Sequence, residues 1–177
     1  DSDKIDINNI KLFLVLIAAG KDISDYTFLY QAISKGHTKI VKFLIDMGAD
    51  INVLGKDDYT PLYYSINKNN IEIIKLLIAA CANVNLYKRG SSSPLHKAVR
   101  NKRIDEVKLL IAAGANANTT DCCEYTPFDS AINNDSIEMV KLLINAGTYT
   151  YNMSLCKAVQ GKNIEIVKLL IAVGANV

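Results

Sequence analysis

SPLHKAVRNKRIDEVKLLIAAGANAN, residues 93–118, contains two short helical segments and the turn that ends them, and the rest of the chain is built from copies of it. Its second half, EVKLLIAAG (106–114), recurs as IVKFLIDMG (40–48), IIKLLIAAC (73–81), MVKLLINAG (139–147) and IVKLLIAVG (166–174), with a degenerate copy, LFLVLIAAG, at 12–20. The closing positions Gly20, Gly48, Cys81, Gly114, Gly147 and Gly174 lie 28, 33, 33, 33 and 27 residues apart. A fixed interval of this length marks stacked helical repeats. All three prolines, Pro61, Pro94 and Pro127, fall in one column of the register.

A Leu or Phe anchor (Leu29, Leu62, Leu95, Phe128, Leu155) stands 19 residues before each closing position, so the helical body never changes length. Inner helices are expected near 28–35, 61–68, 94–101, 127–134 and 154–161. Outer helices are expected near 71–80 and 104–113 and at their counterparts, with Ile104, Val107, Leu110 and Ile111 forming an inward stripe. Glycine at the closing position suits the left-handed C-cap of a helix. Cys81 breaks that rule and is expected to alter the end of its repeat. Thr60, Ser93 and Thr126 are N-cap hydroxyls, each before a proline whose missing N–H had no partner at a helix start.

With TPLYYSINKNNIEIIKLLIAACANVN (60–85) and TPFDSAINNDSIEMVKLLINAG (126–147), the opening stretch resembles the ankyrin repeat: a TPLH start, two short helices and a Gly-Ala-Asp/Asn-hydrophobic-Asn turn. The resemblance covers essentially the whole chain. It implies an all-α solenoid of stacked antiparallel helix pairs with β-turn fingers, curved into an L-shaped array. The division is one array over 1–177: a partial repeat at 1–20, then repeats at about 21–48, 49–81, 82–114, 115–147 and 148–177. The connections from Gly20 to Leu29 and from Gly147 to Leu155 are shorter than the regular ones by five and six residues, so two fingers should be missing. The use of Ile, Asn, Lys and Tyr, as in SINKNNIEIIKLLI (65–78), resembles the poxvirus host-range and immune-evasion ankyrin proteins. Any A+T-rich genome would give the same bias, so intracellular bacteria and giant viruses stay open.

At 177 residues the chain is long enough to bury a sizeable core, and a net charge of +2 argues against a dedicated nucleic-acid binder. No apolar run reaches membrane-spanning length, and the residues before Ile10 are too charged for a secretory signal. A monomeric cytoplasmic protein is expected, in the host cytosol if the source is viral. The chain starts without Met and stops at Val177 inside a GANV turn. The helix over 10–19 lacks an inner partner, and that over 164–173 lacks a polar capping face. Both ends therefore read as excised from a longer array.

No feature points to chemistry. Cys81, Cys122, Cys123 and Cys156 show no CxxC or His-containing spacing, so neither metal nor cofactor is expected, and reduced thiols are the simpler reading. His96 holds the TPLH position, whose family role is a hydrogen bond that ties adjacent repeats. His37 holds the Gly-His position between two helices and reads as structural too. There is no Gly-rich phosphate loop and no nucleophile beside a base, so an enzyme is not expected. The recurrent Lys42, Lys75, Lys108, Lys141 and Lys168 have Glu72, Asp105, Glu138 and Glu165 three residues upstream of four of them, which reads as a solvated, ion-paired convex face.

The nine tyrosines all fall in connections or inner helices, which makes the concave side the aromatic one. Tyrosine offers large contact area at low rotamer cost. For the column Tyr26, Tyr59 and Tyr125 both binding and packing are open; Tyr63, Tyr87, Tyr149 and Tyr151 read as binding. The resemblance implies that finger tips and exposed inner-helix positions contact partners. These are Lys56, Asp57, Tyr59, Asn67 and Lys68, then Arg89, Ser92, Arg100 and Asn101, then Cys122, Cys123, Tyr125, Asn133 and Asn134. Lys88, Arg89, Lys97, Arg100, Lys102 and Arg103 form a basic stretch suited to an acidic loop of a protein, with RNA a minor alternative and solvation the plain one. Two functions remain: a non-catalytic module that captures a host protein for a virus, or the targeting arm of a bacterial effector enzyme or ubiquitin-ligase adaptor.

Overall fold

Proline at the first helical turn, and the hydroxyl before it, set where the first helix of each regular repeat begins. Thr60 Oγ1 accepts from the Tyr63 N–H at 3.1 Å, Ser93 Oγ from the His96 N–H at 3.3 Å, and Thr126 Oγ1 from the Asp129 N–H at 3.1 Å. The computed structural model describes residues 26–55, 57–88, 91–149 and 152–174. Ten helices and no strand occur among them, an all-α repeat solenoid.

The helices form pairs: α1 (Tyr26–Ser34) with α2 (Thr38–Asp46), α3 (Pro61–Lys68) with α4 (Ile71–Ala79), α5 (Pro94–Arg100) with α6 (Ile104–Ala112), α7 (Pro127–Asn133) with α8 (Ile137–Asn145), and α9 (Asn152–Gln160) with α10 (Ile164–Ala172). Two compact units result, Asp1–Asn83 and Val84–Val177. In the first, α1 packs on α3 and α2 on α4, burying Leu29, Ile33, Leu44, Leu62, Ile66 and Leu77. In the second, α5, α7 and α9 make an inner row and α6, α8 and α10 an outer row, around Leu95, Val99, Leu110, Phe128, Val140, Leu143 and Leu170.

Helices α1 and α9 start two residues earlier than expected. In the regular repeats the proline excludes the helical conformation from the residue before it. Phe28 and Ser154 stand in that column in α1 and α9, and the helix runs on upstream. The connection from Asn145 to Asn152 is far shorter than that from Ala112 to Pro127, as the spacing implied. The expected short connection after Gly20, like the helix over 10–19, lies outside the described residues.

Cys81 corrects the sequence expectation. Its φ is +65°, in the left-handed region that Gly48, Gly114, Gly147 and Gly174 also occupy. The Cys81 N–H donates to Ile78 O at 3.0 Å and the Ala82 N–H to Leu77 O at 2.9 Å, the same helix ending that the glycines make. The hydrogen bonds of the turn hold cysteine in a conformation it disfavours, so the repeat does not end differently.

Candidate functional site

Two of the fingers, one in each unit, are ordered by side chains aimed at their backbone. In the first unit Asp58, at φ +58°, donates its N–H to Gly55 O at 2.9 Å, and the Gly55 N–H donates to Tyr59 O at 3.0 Å. The Tyr30 hydroxyl sits beneath this turn. It accepts from the Gly55 N–H at 3.1 Å and lies within hydrogen-bond reach of the carbonyls of Val53, at 3.1 Å, and Tyr59. Burial pushes that hydroxyl above the ordinary tyrosine range, against the bond from Gly55. A side chain in place of Gly55's hydrogen would meet the Tyr30 ring at 2.8 Å, so glycine is required for this close approach.

The second unit makes the same turn at Asp121–Glu124 with different side chains. Asp121 Oδ1 accepts the N–H groups of Cys123 at 2.8 Å and Tyr125 at 3.0 Å, and Oδ2 pairs with Arg100. Burial alone would raise the Asp121 carboxyl, but these N–H donors, Arg100 and His96 hold it below the usual carboxylate range. His96 sits one residue after its anchor, in the same column as Tyr30. Its Nδ1 accepts from the Ser93 N–H at 3.3 Å, which leaves Nε2 to donate to Tyr125 O at 2.9 Å. The tie between repeats expected of His96 is therefore made, and in the first unit the Tyr30 hydroxyl takes its place. Asparagine links successive turns: Asn85 Nδ2 donates to Gly114 O at 3.0 Å and Asn118 Nδ2 to Gly147 O at 3.1 Å.

On this ordered frame the expected contact residues differ in exposure. Lys56, Arg89 and Tyr151 lie outside the described residues. Asp57, Asn67, Lys68 and Asn133 are exposed, with Lys68 Nζ 5.3 Å from the centre of the Tyr64 ring. Tyr125 and Tyr149 are 38% and 64% exposed, while Tyr59, Tyr87, Ser92, Lys97 and Asn101 are half-buried. Tyr63 is a correction. It is only 7% exposed and stacks on Tyr59, centroids 4.2 Å apart and planes within 3°, so it packs the first unit instead of facing a partner. Asn134 is likewise structural in part, since its Nδ2 donates to Val99 O at 2.9 Å at the end of α5.

The basic stretch is partly neutralised, because Arg100 already faces the buried Asp121. Lys157 behaves similarly. Its Nζ lies 2.8 Å from Asp129 Oδ1 and 4.2 Å from the centre of the Tyr125 ring. Burial opposes ionisation of Asp129, but Lys157 and the Thr126 N–H and hydroxyl hold its carboxyl below the usual range. On the outer helices Lys75 pairs with Glu72 at 3.0 Å as the spacing implied, whereas Lys108 reaches Glu138 of the next repeat at 3.3 Å.

Sequence reasoning overlooked three groups that build the surface: Asp121, the Tyr30 hydroxyl and Tyr64. The first two support a turn from below; the signal for Tyr30 was its place in the column of His96, and that for Asp121 was a carboxylate at the start of a finger turn. Asp121, Cys122 and Cys123 bring potential ligand atoms within 4.8 Å of one another. The carboxylate is already shared among two N–H groups and a guanidinium, so the cluster offers two exposed thiols, 3.7 Å apart. Beside α1, Tyr26, Tyr30, Asp57, Tyr59 and Tyr64 line a cavity of about 260 Å³.

A family model described as ankyrin repeats (3 copies) matches residues 5–88 and 80–154, most of the chain. Comparison with curated proteins finds no match. No helix among the described residues is long and apolar enough to cross a membrane.

Proposed function

We propose, from the premise that this chain belongs to the ankyrin-repeat family, that it binds a protein partner through its fingers and the exposed positions of its inner helices. Ankyrin-repeat proteins are typically non-catalytic interaction modules. The observation that carries the assignment of the face is the support beneath two of the fingers, by Tyr30 in the first unit and by Asp121 and His96 in the second, which holds Asp57, Tyr125 and their neighbours in place before binding. A surface ordered in advance loses little conformational freedom on association. The outer helices differ: their exposed charges include Lys75 paired with Glu72 and Lys108 with Glu138, a solvated face.

The Ile-, Asn-, Lys- and Tyr-rich style supports a viral source and a host-cell partner. An acidic partner loop for the second unit rests on Lys97 and Lys102, since Arg100 is engaged with Asp121. The face is tested by placing a photo-crosslinking amino acid at Asn67, Asn133 or Tyr149, and separately at Lys75, Lys141 or Lys168 of the outer helices, in mammalian cell extract. The first set captures a common protein and the second does not. Equal capture from the outer helices refutes the assignment.

A further inference from the structure

The two units solve the same packing problem with different side chains, and the difference points to a ligand. In the second unit three positions converge: Tyr125, three residues before the Phe128 anchor; Asp129, one after it; and Lys157, two after the Leu155 anchor of the next inner helix. Lys157 Nζ lies between the Tyr125 ring, 4.2 Å from its centre, and Asp129 Oδ1 at 2.8 Å. The second unit thus places an ammonium group at this point from within its own chain.

In the first unit the same three positions, counted from Leu29 and Leu62, hold Tyr26, Tyr30 and Tyr64. Tyrosine replaces both the ammonium and its carboxylate. Tyr26 meets Tyr30 edge to face at 5.9 Å, and Tyr30 lies 5.3 Å from Tyr64 at 53°. The rings line a half-open cavity of about 260 Å³ that Tyr59 and the exposed Asp57 complete from the finger. Each tyrosine ring carries a negative face that attracts a cation, and three such rings and the Asp57 carboxylate line the same space. Lys68 Nζ, 5.3 Å from the Tyr64 ring centre, shows that a ring of this set accepts an ammonium. The finger carboxylate of Asp57 supplies the charge that Asp129 supplies in the second unit.

We propose that this tyrosine-lined cavity is a receptor for the ammonium group of a lysine side chain on the partner protein. The site is rigid on one wall, because the Tyr30 hydroxyl is held by the finger backbone. Its volume suits the end of a lysine side chain with methyl groups on the nitrogen, and the rings supply the attraction without needing N–H donors.

The proposal rests on the protein-binding reading, and its test uses a single amino acid, so that its outcome is independent of the cross-linking. Protein carrying ¹³C-labelled tyrosine rings is titrated with Nα-acetyl-lysine amide, its Nε-trimethyl form and Nα-acetyl-norleucine amide. Lysine shifts the ring signals of Tyr26, Tyr30 and Tyr64, trimethyl-lysine does so at equal or lower concentration, and the neutral analogue binds at least about 5-fold more weakly. Asp57→Asn weakens the lysine response. Tyr64→Lys, which places an internal ammonium at the position Lys157 holds in the second unit, removes it, and an unchanged circular dichroism spectrum shows that the fold persists. Norleucine binding as well as lysine, shifts spread over all tyrosines, a response lost on trimethylation, or a full response in Tyr64→Lys each overturns the proposal.

Discussion

At the scale of the residue, Glu106 and His96 pull the pH dependence of stability in opposite directions. Glu106 lies in the first turn of α6, is 3% exposed, and its Oε2 has no hydrogen-bond partner among the described residues. Burial raises its carboxyl to about 6, against the pull of Arg103. A carboxyl that binds its proton more tightly when folded stabilises the fold below the unfolded value of 4.5, and that contribution is lost as pH rises through about 6. His96 is held below the ordinary 6.5, chiefly by burial, with the Tyr125 carbonyl opposing. The unfolded chain then takes up the proton first, and stability falls as pH drops below 6.5. Glu106→Gln keeps the shape and removes the first effect alone. Urea denaturation should find it more stable than the parent at pH 7.5 by about 1–2 kcal/mol, with the gain gone near pH 4. A loss of stability at pH 7.5 would contradict the account. The sequence carried a signal for this residue, because Ile73, Met139 and Ile166 fill the same column and are buried. Regular helical spacing and a commonplace Glu-Val-Lys phrase concealed it, whereas His96 was legible because its motif implies a bonding partner.

At the scale of the element, the ends of helices show what periodicity conveys. Where a proline and a hydroxyl punctuate the start, α3, α5 and α7 begin where the sequence placed them; where Phe28 and Ser154 replace the proline, nothing local stops the helix from lengthening. Side-chain partners were less legible than helix limits. Lys108 has Asp105 three residues upstream, yet it reaches Glu138 across the stack, which the spacing within one helix cannot register. Cys81 shows tertiary context overriding local preference. Its turn keeps both closing hydrogen bonds at φ +65°, although a side chain there costs about 1–2 kcal/mol over glycine. Part of that is offset by the greater freedom glycine has when unfolded. Cys81→Gly should therefore stabilise the protein by about 0.5–1 kcal/mol in chemical denaturation, while Cys81→Ala changes it by no more than a few tenths. A destabilised glycine variant would show that the thiol makes a contact worth more than the backbone strain.

At the scale of the molecule, the period revealed the frame and concealed the cavity. Tyr26 and Tyr30 meet within α1, one helical turn apart, but Tyr64 joins them only when two successive inner helices are laid side by side, a relation between repeats and not within one. Nearest-neighbour packing also governs how stability is distributed in such an array. Within the second unit, α8 packs against both α6 and α10, and its Val140 and Leu143 are fully buried. Ile104, Ile111, Ile137 and Ile144 are half-covered in α6 and α8, whereas the corresponding Ile164 and Ile171 of α10 are 67% and 52% exposed. The pair α9–α10 thus gains apolar burial on one side only. In this 177-residue chain, amide hydrogen exchange followed by mass spectrometry should be fastest in α9–α10 and slower in α7–α8, because the former opens without exposing the latter's core. Leu143→Ala should then cost about 2–4 kcal/mol and speed exchange in both pairs, while Leu170→Ala speeds exchange in α9–α10 and leaves α7–α8 protected. Uniform protection from α5 to α10, or a Leu170→Ala effect that spreads through α7–α8, would show the unit opening as one cooperative body instead of from its edge inward.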